Sequence, residues 1–259
     1  MSDAWIRAIV AVPFGLMVGS FLTVVIGRVP AKVSVVTPRS RCPSCRAEIA
    51  ARDNIPVLSW LLLRGRCRSC GARISVRYPL VELATGALFA ATAYVYPSVF
   101  IVVMLCVFGA VMIAVAAIDL EHRIIPNRIV YPAAPVFTVA IVVGWAFDLP
   151  LDPARAAIGL LAYGGFFLVI AFISPRGIGM GDVKLTALIG LVLGSLGLRY
   201  AGVAAGVAIL LGGLGGIVAL LLGRGRKSAI PFGPYLSVGA IAAVLWGERI
   251  ADWYIRSYL

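Results

Sequence analysis

The most informative property of this sequence is how few charged residues it contains. Asp, Glu, Lys and Arg make up only 13% of its 259 residues, whereas an ordinary soluble domain has about a quarter. Apolar residues make up 61%, and the mean hydropathy is +1.01. This balance argues against a soluble globular protein and predicts an integral membrane protein.

Histidine and acidic residues are scarce as well. The single histidine, His122, cannot form a metal site with the neighbouring acids by itself, and no Ser or Cys has a credible base beside it in the sequence. A serine protease of the rhomboid type and a catalytic zinc site are therefore disfavoured. Because the chain has only 11 Asp and Glu residues, each acid next to a hydrophobic run needs an explanation.

Long apolar runs, by contrast, are abundant. A membrane-spanning helix needs about 20 apolar residues, so we predict an all-α integral membrane protein with about eight transmembrane helices. The expected spans are 5–27, 79–96, 99–118, 129–147, 154–174, 183–199, 201–222 and 233–253. The chain is thereby divided into a first transmembrane helix (1–30), a small polar segment (31–78) and a seven-helix transmembrane domain (79–259).

The excess of basic residues is explained by membrane topology. The formal net charge is +12, and eleven of the 23 Lys and Arg residues lie in the segment 28–78. Seven more lie in the gaps 119–128, 175–184 and 224–227, which leaves five for the opposite side. The positive-inside rule then places 31–78 in the cytoplasm. We expect these basic groups to meet membrane lipid headgroups, and we expect no nucleic-acid partner.

Four of the five cysteines form two closely spaced pairs. Cys42 and Cys45 are the first pair, Cys67 and Cys70 are the second, and 21 residues separate the pairs. Two such knuckles can wrap one tetrahedral Zn²⁺, with Gly71 supplying a tight turn. Two disulfides are the alternative, which a reducing cytoplasm disfavours. Since four thiolates leave no open position for catalysis, we predict a structural, zinc-knuckle-like cytoplasmic segment between helices 1 and 2.

Three further expectations concern the polar segment and its surroundings. The apolar stretch 55–63 fits either the core of the small segment or a helix lying against the membrane surface. Glu82 lies within a turn of the predicted membrane interface, where we expect it to reach water. No internal repeat of 20–50 residues is expected in the chain.

Two acidic residues stand at the ends of hydrophobic runs. Asp119 is the first acid after 36 residues without one, and Asp182 follows three alternating glycines, Gly177, Gly179 and Gly181. Ionisable groups at membrane depth are costly and therefore indicate function. The predicted topology lets the two acids meet, share a proton, and act as a base towards water and an acid towards a carbonyl. This combination predicts an intramembrane aspartyl protease.

The segment around Asp182 has other interpretations. Its glycines either let a substrate strand approach the backbone or permit positive φ, and Lys184 either tunes the acid pair or meets a lipid phosphate. A nucleotide-binding loop is disfavoured because no strand precedes the glycines. Asp182 taken alone also fits a simple helix cap, but Asp119 at a helix C-terminus opposes the macrodipole and has no such explanation.

The motifs together resemble those of the bacterial type IV prepilin peptidases, also called leader peptidase/N-methyltransferases, which are GxGD-type intramembrane aspartyl proteases. The resemblance runs nearly end to end, and its motifs lie at 19–30, 41–45, 54–56, 58–60, 64–67, 77–82, 118–122, 179–184 and 231–235. The GxGD motif alone also fits presenilin-like and archaeal preflagellin peptidases. The tetra-cysteine segment is typical of the bacterial class.

The resemblance implies a catalytic pair, a substrate and a location. Asp119 and Asp182 would be the catalytic residues, supported by the three glycines and Lys184. The substrate would be a prepilin or pseudopilin of a type IV pilus or type II secretion system, cut after a Gly at the cytoplasmic face of the bacterial inner membrane. Many relatives then methylate the new N-terminal amine with S-adenosylmethionine. Thr23 stands where those relatives often carry Asn.

A function of a different class is compatible with the residues alone. A non-enzymatic membrane scaffold, or an ion-coupled transporter with a zinc-binding cytoplasmic domain, would use the two acids to carry protons or ions. Because a proton relay has no need of three alternating glycines, the sequence favours the peptidase.

Overall fold

Helices and loops make up the whole of the described structure. The computed structural model describes residues 2–174, 178–222 and 231–258. Within these ranges there is no β-strand, only two isolated β-bridges, and the expected all-α class is confirmed. The chain divides into two compact units, Met1–Ala114 and Val115–Leu259.

Six helices in the described ranges are long and apolar enough to cross a membrane, so the chain is a multi-pass membrane protein. They are Asp3–Arg28, Arg77–Val95, Val99–His122, Asn127–Ala146, Pro153–Ile173 and Leu198–Leu221. Two further helices, Met180–Leu196 and Gly233–Tyr258, coincide with the remaining predicted spans but do not meet the same criterion of length and composition. The count of eight spans therefore stays a prediction.

The first unit combines apolar helices with a polar connecting segment. In chain order it contains α1 (Ser2–Arg28), a 3₁₀ turn (Ala51–Asp53), α2 (Leu58–Leu62), α3 (Arg77–Val95) and most of α4 (Val99–His122). The polar segment between α1 and α3 is mostly loop, because turn-forming Pro, Ser and Gly interrupt it and no long apolar face is available to pack a helix.

Glycines bring the backbones of α1 and α3 into contact. The two helices run antiparallel, with Gly15 of α1 against Gly86 and Gly19 against Glu82. A Cβ at Gly15 or at Gly19 would lie 2.7 Å from a backbone Cα of α3. The expected role of small residues at this end of the first helix is therefore confirmed at Gly19, where a larger side chain would force the helices apart.

The second unit is an assembly of helices around α8. It contains the end of α4 and then α5 (Asn127–Ala146), α6 (Pro153–Gly159), α7 (Gly165–Ile173), α8 (Met180–Leu196), α9 (Leu198–Leu221) and α10 (Gly233–Tyr258). A π-helical turn, Leu160–Gly164, joins α6 and α7 into one continuous rod. Helix α8 packs against each of the helices α5, α6, α7, α9 and α10, so it is the central helix of this unit.

Local sequence sets the ends of these helices and the closeness of their packing. Asp152 accepts hydrogen bonds from the N–H groups of Ala154 and Arg155 and thereby caps α6. Gly190 of α8 packs on Gly159 so closely that a Cβ at either residue would overlap the other backbone. Gly197 joins α8 to α9 at a φ of 147°, which only glycine adopts readily.

Candidate functional site

Asp119 is a buried carboxylate in the last turn of α4, which ends at His122. Its side chain belongs to a residue that is 5% exposed, and its Oδ2 accepts a hydrogen bond of 2.9 Å from the backbone N–H of Gly233. Gly233 is the first residue of α10, where N–H groups have no partner within the helix. A buried carboxylate needs such a donor, because burial without one is strongly destabilising.

Gly233 is also the residue at which a side chain is least tolerable. A Cβ there would lie 2.7 Å from Oδ2 of Asp119 and 3.1 Å from its Cγ. The close approach of the α10 backbone to the carboxylate therefore requires glycine. Any larger residue at position 233 has to displace either the carboxyl group or the start of α10.

Asp182 lies in the first turn of α8 and is partly exposed. Its Oδ2 accepts a hydrogen bond of 3.1 Å from the N–H of Gly179, the residue that precedes the helix. Asp182 does cap its own helix, as the simpler interpretation expected. The cap uses only one oxygen of the carboxyl group, so it does not account for the other.

The structure brings the two acids together. Both lie in the second unit, close enough that the charge of Asp119 acts on the carboxyl group of Asp182. In each residue it is Oδ2 that accepts the backbone N–H. Over the part of the chain that the structure describes, Oδ1 of either residue has no hydrogen-bond partner. One oxygen of each acid is thus held by the protein, and one is available to water or to a carbonyl group.

The glycines before Asp182 act through close packing. Gly179 has a φ of −80°, and neither Gly179 nor Gly181 has positive φ, so that explanation does not apply to them. A Cβ at Gly181 would lie 3.0 Å from Cβ of Ile125, in the loop that follows α4. Gly181 therefore lets the start of α8 approach the chain that leaves Asp119. Gly177 lies outside the described residues.

Lys184 does not interact with the acid pair. Its Nζ donates to Oδ1 of Asn127 at 3.1 Å and lies 4.8 Å from the ring centroid of Tyr131. Both partners belong to α5, so Lys184 ties the beginning of α8 to the beginning of α5. The structure thus gives Lys184 a positioning role that the sequence interpretation did not include. His122 is half exposed and makes only a 3.7 Å contact with Glu121.

Residues at the start of α10 were missed as functional residues. Phe232 stacks 5.8 Å from Phe167 and 6.1 Å from Tyr235, measured between ring centroids. Gly212 of α9 leaves the space for the Phe232 ring. These contacts fix the segment 231–235, and with it the N–H of Gly233. The available signal was a glycine between two prolines at the start of an apolar run.

The second cluster is formed by the four paired cysteines of the first unit. The Sγ atoms of Cys42, Cys45, Cys67 and Cys70 all lie within 4.8 Å of one another, and none is in a disulfide. The Sγ atoms of Cys42 and Cys70 are 3.9 Å apart. A tetrahedron with Zn–S bonds of about 2.3 Å has S···S edges of about 3.8 Å. The four residues therefore fit one tetrahedral metal ion, and they favour this arrangement over two disulfides.

The two knuckles are copies of one structural motif. Residues 41–49 and 66–74 share Arg, both Cys, Ser, Ala and Ile at equivalent positions, 25 residues apart. The N–H of Cys42 donates to Ala47 at 2.9 Å, and that of Cys67 donates to Ala72 at 2.8 Å. The expectation that the chain has no repeat of 20–50 residues is wrong for this segment. The variable residues between the shared ones concealed the repeat.

Each knuckle ends in a left-handed residue that closes its turn. Gly71 has a φ of 72°, which confirms the predicted tight turn, and Arg46 takes the equivalent place with a φ of 59°. The N–H of each residue donates back to the carbonyl of the first cysteine in its own pair. The backbone N–H groups of Cys45 and Ser44 lower the pKa of the Cys42 thiol to about 6. The fold of the first knuckle thus favours a thiolate, which is the form that binds metal.

Two family models match the chain. The bacterial peptidase A24 N-terminal domain matches residues 13–96, and the type IV leader peptidase family matches residues 106–222. The first range contains all four clustered cysteines, and the second contains Asp119 and Asp182. Gly233 lies beyond both ranges. No solved structure is significantly similar to the chain.

Curated relatives match over nearly the whole length. The chain is 39% identical over 248 residues to the "Prepilin leader peptidase/N-methyltransferase" of Bacillus subtilis, which covers 95% of this chain and 97% of the relative. It is 39% identical over 258 residues to the "Type 4 prepilin-like proteins leader peptide-processing enzyme" of Escherichia coli, with 89% and 90% covered. A relative from Aeromonas hydrophila, bearing the first of these names, is 34% identical over 281 residues, with 98% and 96% covered.

We expect the purified protein to contain about one zinc ion per chain by elemental analysis, because the four Sγ atoms fit a single tetrahedral site. Replacing two ligands at once, in Cys42→Ser with Cys67→Ser, should remove the metal. The control is Cys106→Ala, a cysteine in α4 outside the cluster, which should retain it. Protein that is metal-free yet folded and fully active would contradict a structural zinc site.

Proposed function

Because the chain belongs to the type IV leader peptidase family, we propose that it removes the leader peptides of prepilins and pseudopilins, with Asp119 and Asp182 as its catalytic pair. The observation that carries the proposal is the meeting of these two carboxyl groups at the ends of two helices of one unit. Each acid has one oxygen held by a backbone N–H and the other open.

The proposed mechanism needs only these two carboxyl groups and water. Two carboxylates in proximity share one proton, so one acts as base while the other acts as acid. The base takes a proton from water, whose oxygen attacks the scissile carbonyl carbon, and the acid donates its proton to the carbonyl oxygen. The tetrahedral intermediate then collapses with cleavage of the C–N bond, and the leaving amine takes a proton from the pair.

Neighbouring residues position the pair. The N–H groups of Gly233 and Gly179 hold one oxygen of each acid, and thereby orient the other oxygen towards the reacting groups. Gly181 and Lys184 fix the start of α8 against Ile125 and α5. We include Gly177, which lies outside the described residues, in this supporting set on the basis of the glycine pattern alone.

Substrate and location follow from the family and from the charge distribution. We propose cleavage after a Gly of the leader, at the cytoplasmic face of the inner membrane, by an enzyme serving a type IV pilus or type II secretion system. The eleven Lys and Arg residues of 28–78 support a cytoplasmic position for that segment. The same charges support contacts with anionic membrane lipid.

Two further components are proposed for the segment 31–78. Zn²⁺ bound by Cys42, Cys45, Cys67 and Cys70 would hold the two knuckles together without taking part in catalysis. S-adenosylmethionine would serve as co-substrate for methylation of the new N-terminal amine. The names of the relatives support methylation, and we assign no residues to the methyl donor.

The peptidase proposal predicts that Asp119→Asn and Asp182→Asn each lower kcat/KM by on the order of 10³-fold or more, because either change removes the shared proton. The assay is cleavage of a model prepilin by detergent-solubilised enzyme, read as a mass shift. The control is Asp148→Asn, the same chemical change at an exposed loop residue, which should cleave normally. Cleavage at the wild-type rate in either catalytic variant would contradict the proposal and favour an ion-handling protein.

Gly233→Ala should lower kcat by roughly 10²-fold with little change in KM, because displacement of a catalytic group by about 1 Å has this effect. The matched control is Gly247→Ala on the same helix, where a Cβ would lie 2.5 Å from the Tyr200 ring and far along α10 from Asp119. Equal losses of kcat in the two folded variants would show that Gly233 acts only through helix stability.

Methylation is tested by the same mass spectrum. Mature pilin produced with S-adenosylmethionine should carry one additional methyl group at its first residue, and pilin produced without it should carry none. An unmethylated first residue in a strain whose only enzyme of this class is the present one would contradict the methyltransferase proposal and leave the peptidase proposal untouched.

A further inference from the structure

Helix α2 exposes a cluster of leucines within the segment that lies outside the candidate spans. The helix is Leu58–Leu62, and Leu58, Leu61 and Leu62 are 48%, 58% and 73% exposed. A polar segment of this size cannot easily leave three leucines on one short helix in water. Of the two interpretations of the stretch 55–63, the core of the small segment does not account for these three residues.

The other face of α2 is where the segment has its interior. The Ser59 hydroxyl is buried, accepts the N–H of Ile55 and donates to the carbonyl of Arg52. Trp60 donates from its indole Nε1 to the carbonyl of Ile74 at 3.2 Å, and a Cβ at Gly65 would touch its ring. Ser59 and Trp60 hold α2 in place, so the leucine face is a fixed surface.

A hydrogen bond from α3 sets the depth of α2 relative to the bilayer. Glu82 is 7% exposed, and its Oε2 accepts the N–H of Val57, immediately before α2, at 2.7 Å. The expectation that Glu82 simply reaches water is therefore wrong. Glu82 lies five residues inside α3, which begins at Arg77 and is a candidate span, so α2 begins about 7.5 Å below the start of that helix. Interfacial helices bury their apolar faces at about this depth.

The charges around α2 suit a negatively charged surface. Arg64 and Arg66 follow the helix directly and are exposed. In the described part of the chain neither forms an ion pair, whereas Arg39 and Arg68 are paired with Glu48 and Asp53. Guanidinium groups bind phosphate oxygens well. A leucine face flanked by free arginines is typical of a helix at the surface of an anionic membrane.

We propose that α2 docks into the membrane interface, with Leu58, Leu61 and Leu62 among the upper acyl chains, Arg64 and Arg66 at the phosphates of anionic lipids, and Glu82 as the residue that positions the helix. The partner is the lipid bilayer. The attachment of Val57 to a spanning helix favours it, because this attachment keeps the leucine face at the membrane boundary. The proposal does not depend on the catalytic activity.

The first experiment measures the depth of the leucine face in the full-length protein. A fluorescent amino acid is introduced at position 62 and, as a control, at Ser44, which is exposed in the first knuckle. Each protein is reconstituted in nanodiscs of phosphatidylcholine and phosphatidylglycerol, with a nitroxide near the top of the acyl chains. We expect several-fold stronger quenching at 62 than at 44. Equal quenching at the two positions, or equal access of aqueous iodide, would overturn the proposal.

The second experiment tests whether Glu82 sets this depth. Glu82→Ala removes the acceptor for the Val57 N–H, whereas Glu82→Gln keeps a carbonyl oxygen in its place. Zinc content reports whether the segment remains folded in each variant. We expect quenching at position 62 to fall in Glu82→Ala and to be retained in Glu82→Gln. Unchanged quenching in folded Glu82→Ala would overturn the positioning role.

The third experiment distinguishes lipid from substrate as the occupant of the leucine face. Saturating a catalytically inactive Asp182→Asn protein with a prepilin N-terminal peptide should leave quenching at position 62 unchanged. Loss of quenching on addition of the peptide would assign the face to the substrate and overturn lipid docking. Replacing phosphatidylglycerol by phosphatidylcholine should weaken the quenching, and no change would overturn the role assigned to Arg64 and Arg66.

Discussion

The contact between the N–H of Gly233 and Oδ2 of Asp119 is the interaction on which the rest of the candidate site depends. An acid at the C-terminal end of a hydrophobic helix is doubly unfavourable, because it is buried and opposes the helix dipole. The start of α10 supplies the missing donor at 2.9 Å, and only glycine can bring it so close. Asp119 is therefore supported by a helix that lies more than a hundred residues further along the chain.

The same use of glycine recurs wherever this chain needs two backbones in contact. Gly181 lets the start of α8 approach Ile125, Gly190 packs on Gly159, and Gly19 packs on the backbone of Glu82. In a membrane there is little hydrophobic drive between helices, so close packing of small residues supplies much of the stability. The glycines therefore determine where the functional carboxyl groups, Asp119 and Asp182, can lie.

Local patterns in the sequence predicted much of this architecture, and distant contacts explain what they missed. Apolar runs located the helices, and cysteine spacing predicted the cluster around Cys42, because both signals lie within short stretches. The partners of Lys184 and Glu82, and the donor to Asp119, are set by tertiary packing across 57, 25 and 114 residues. No pattern of spacing could reveal these pairs. The knuckle repeat was visible in the sequence but was hidden by its variable positions.

The central claim is that Asp119 and Asp182 form one catalytic unit. The most direct test compares the residual cleavage rates of the two Asp→Asn single variants with that of the double variant, in enzyme of equal zinc content. If the two acids share one proton, the double variant should be no slower than either single variant, because each change already disables the unit. Losses that multiply in the double variant would show that the residues act independently and would contradict the claim.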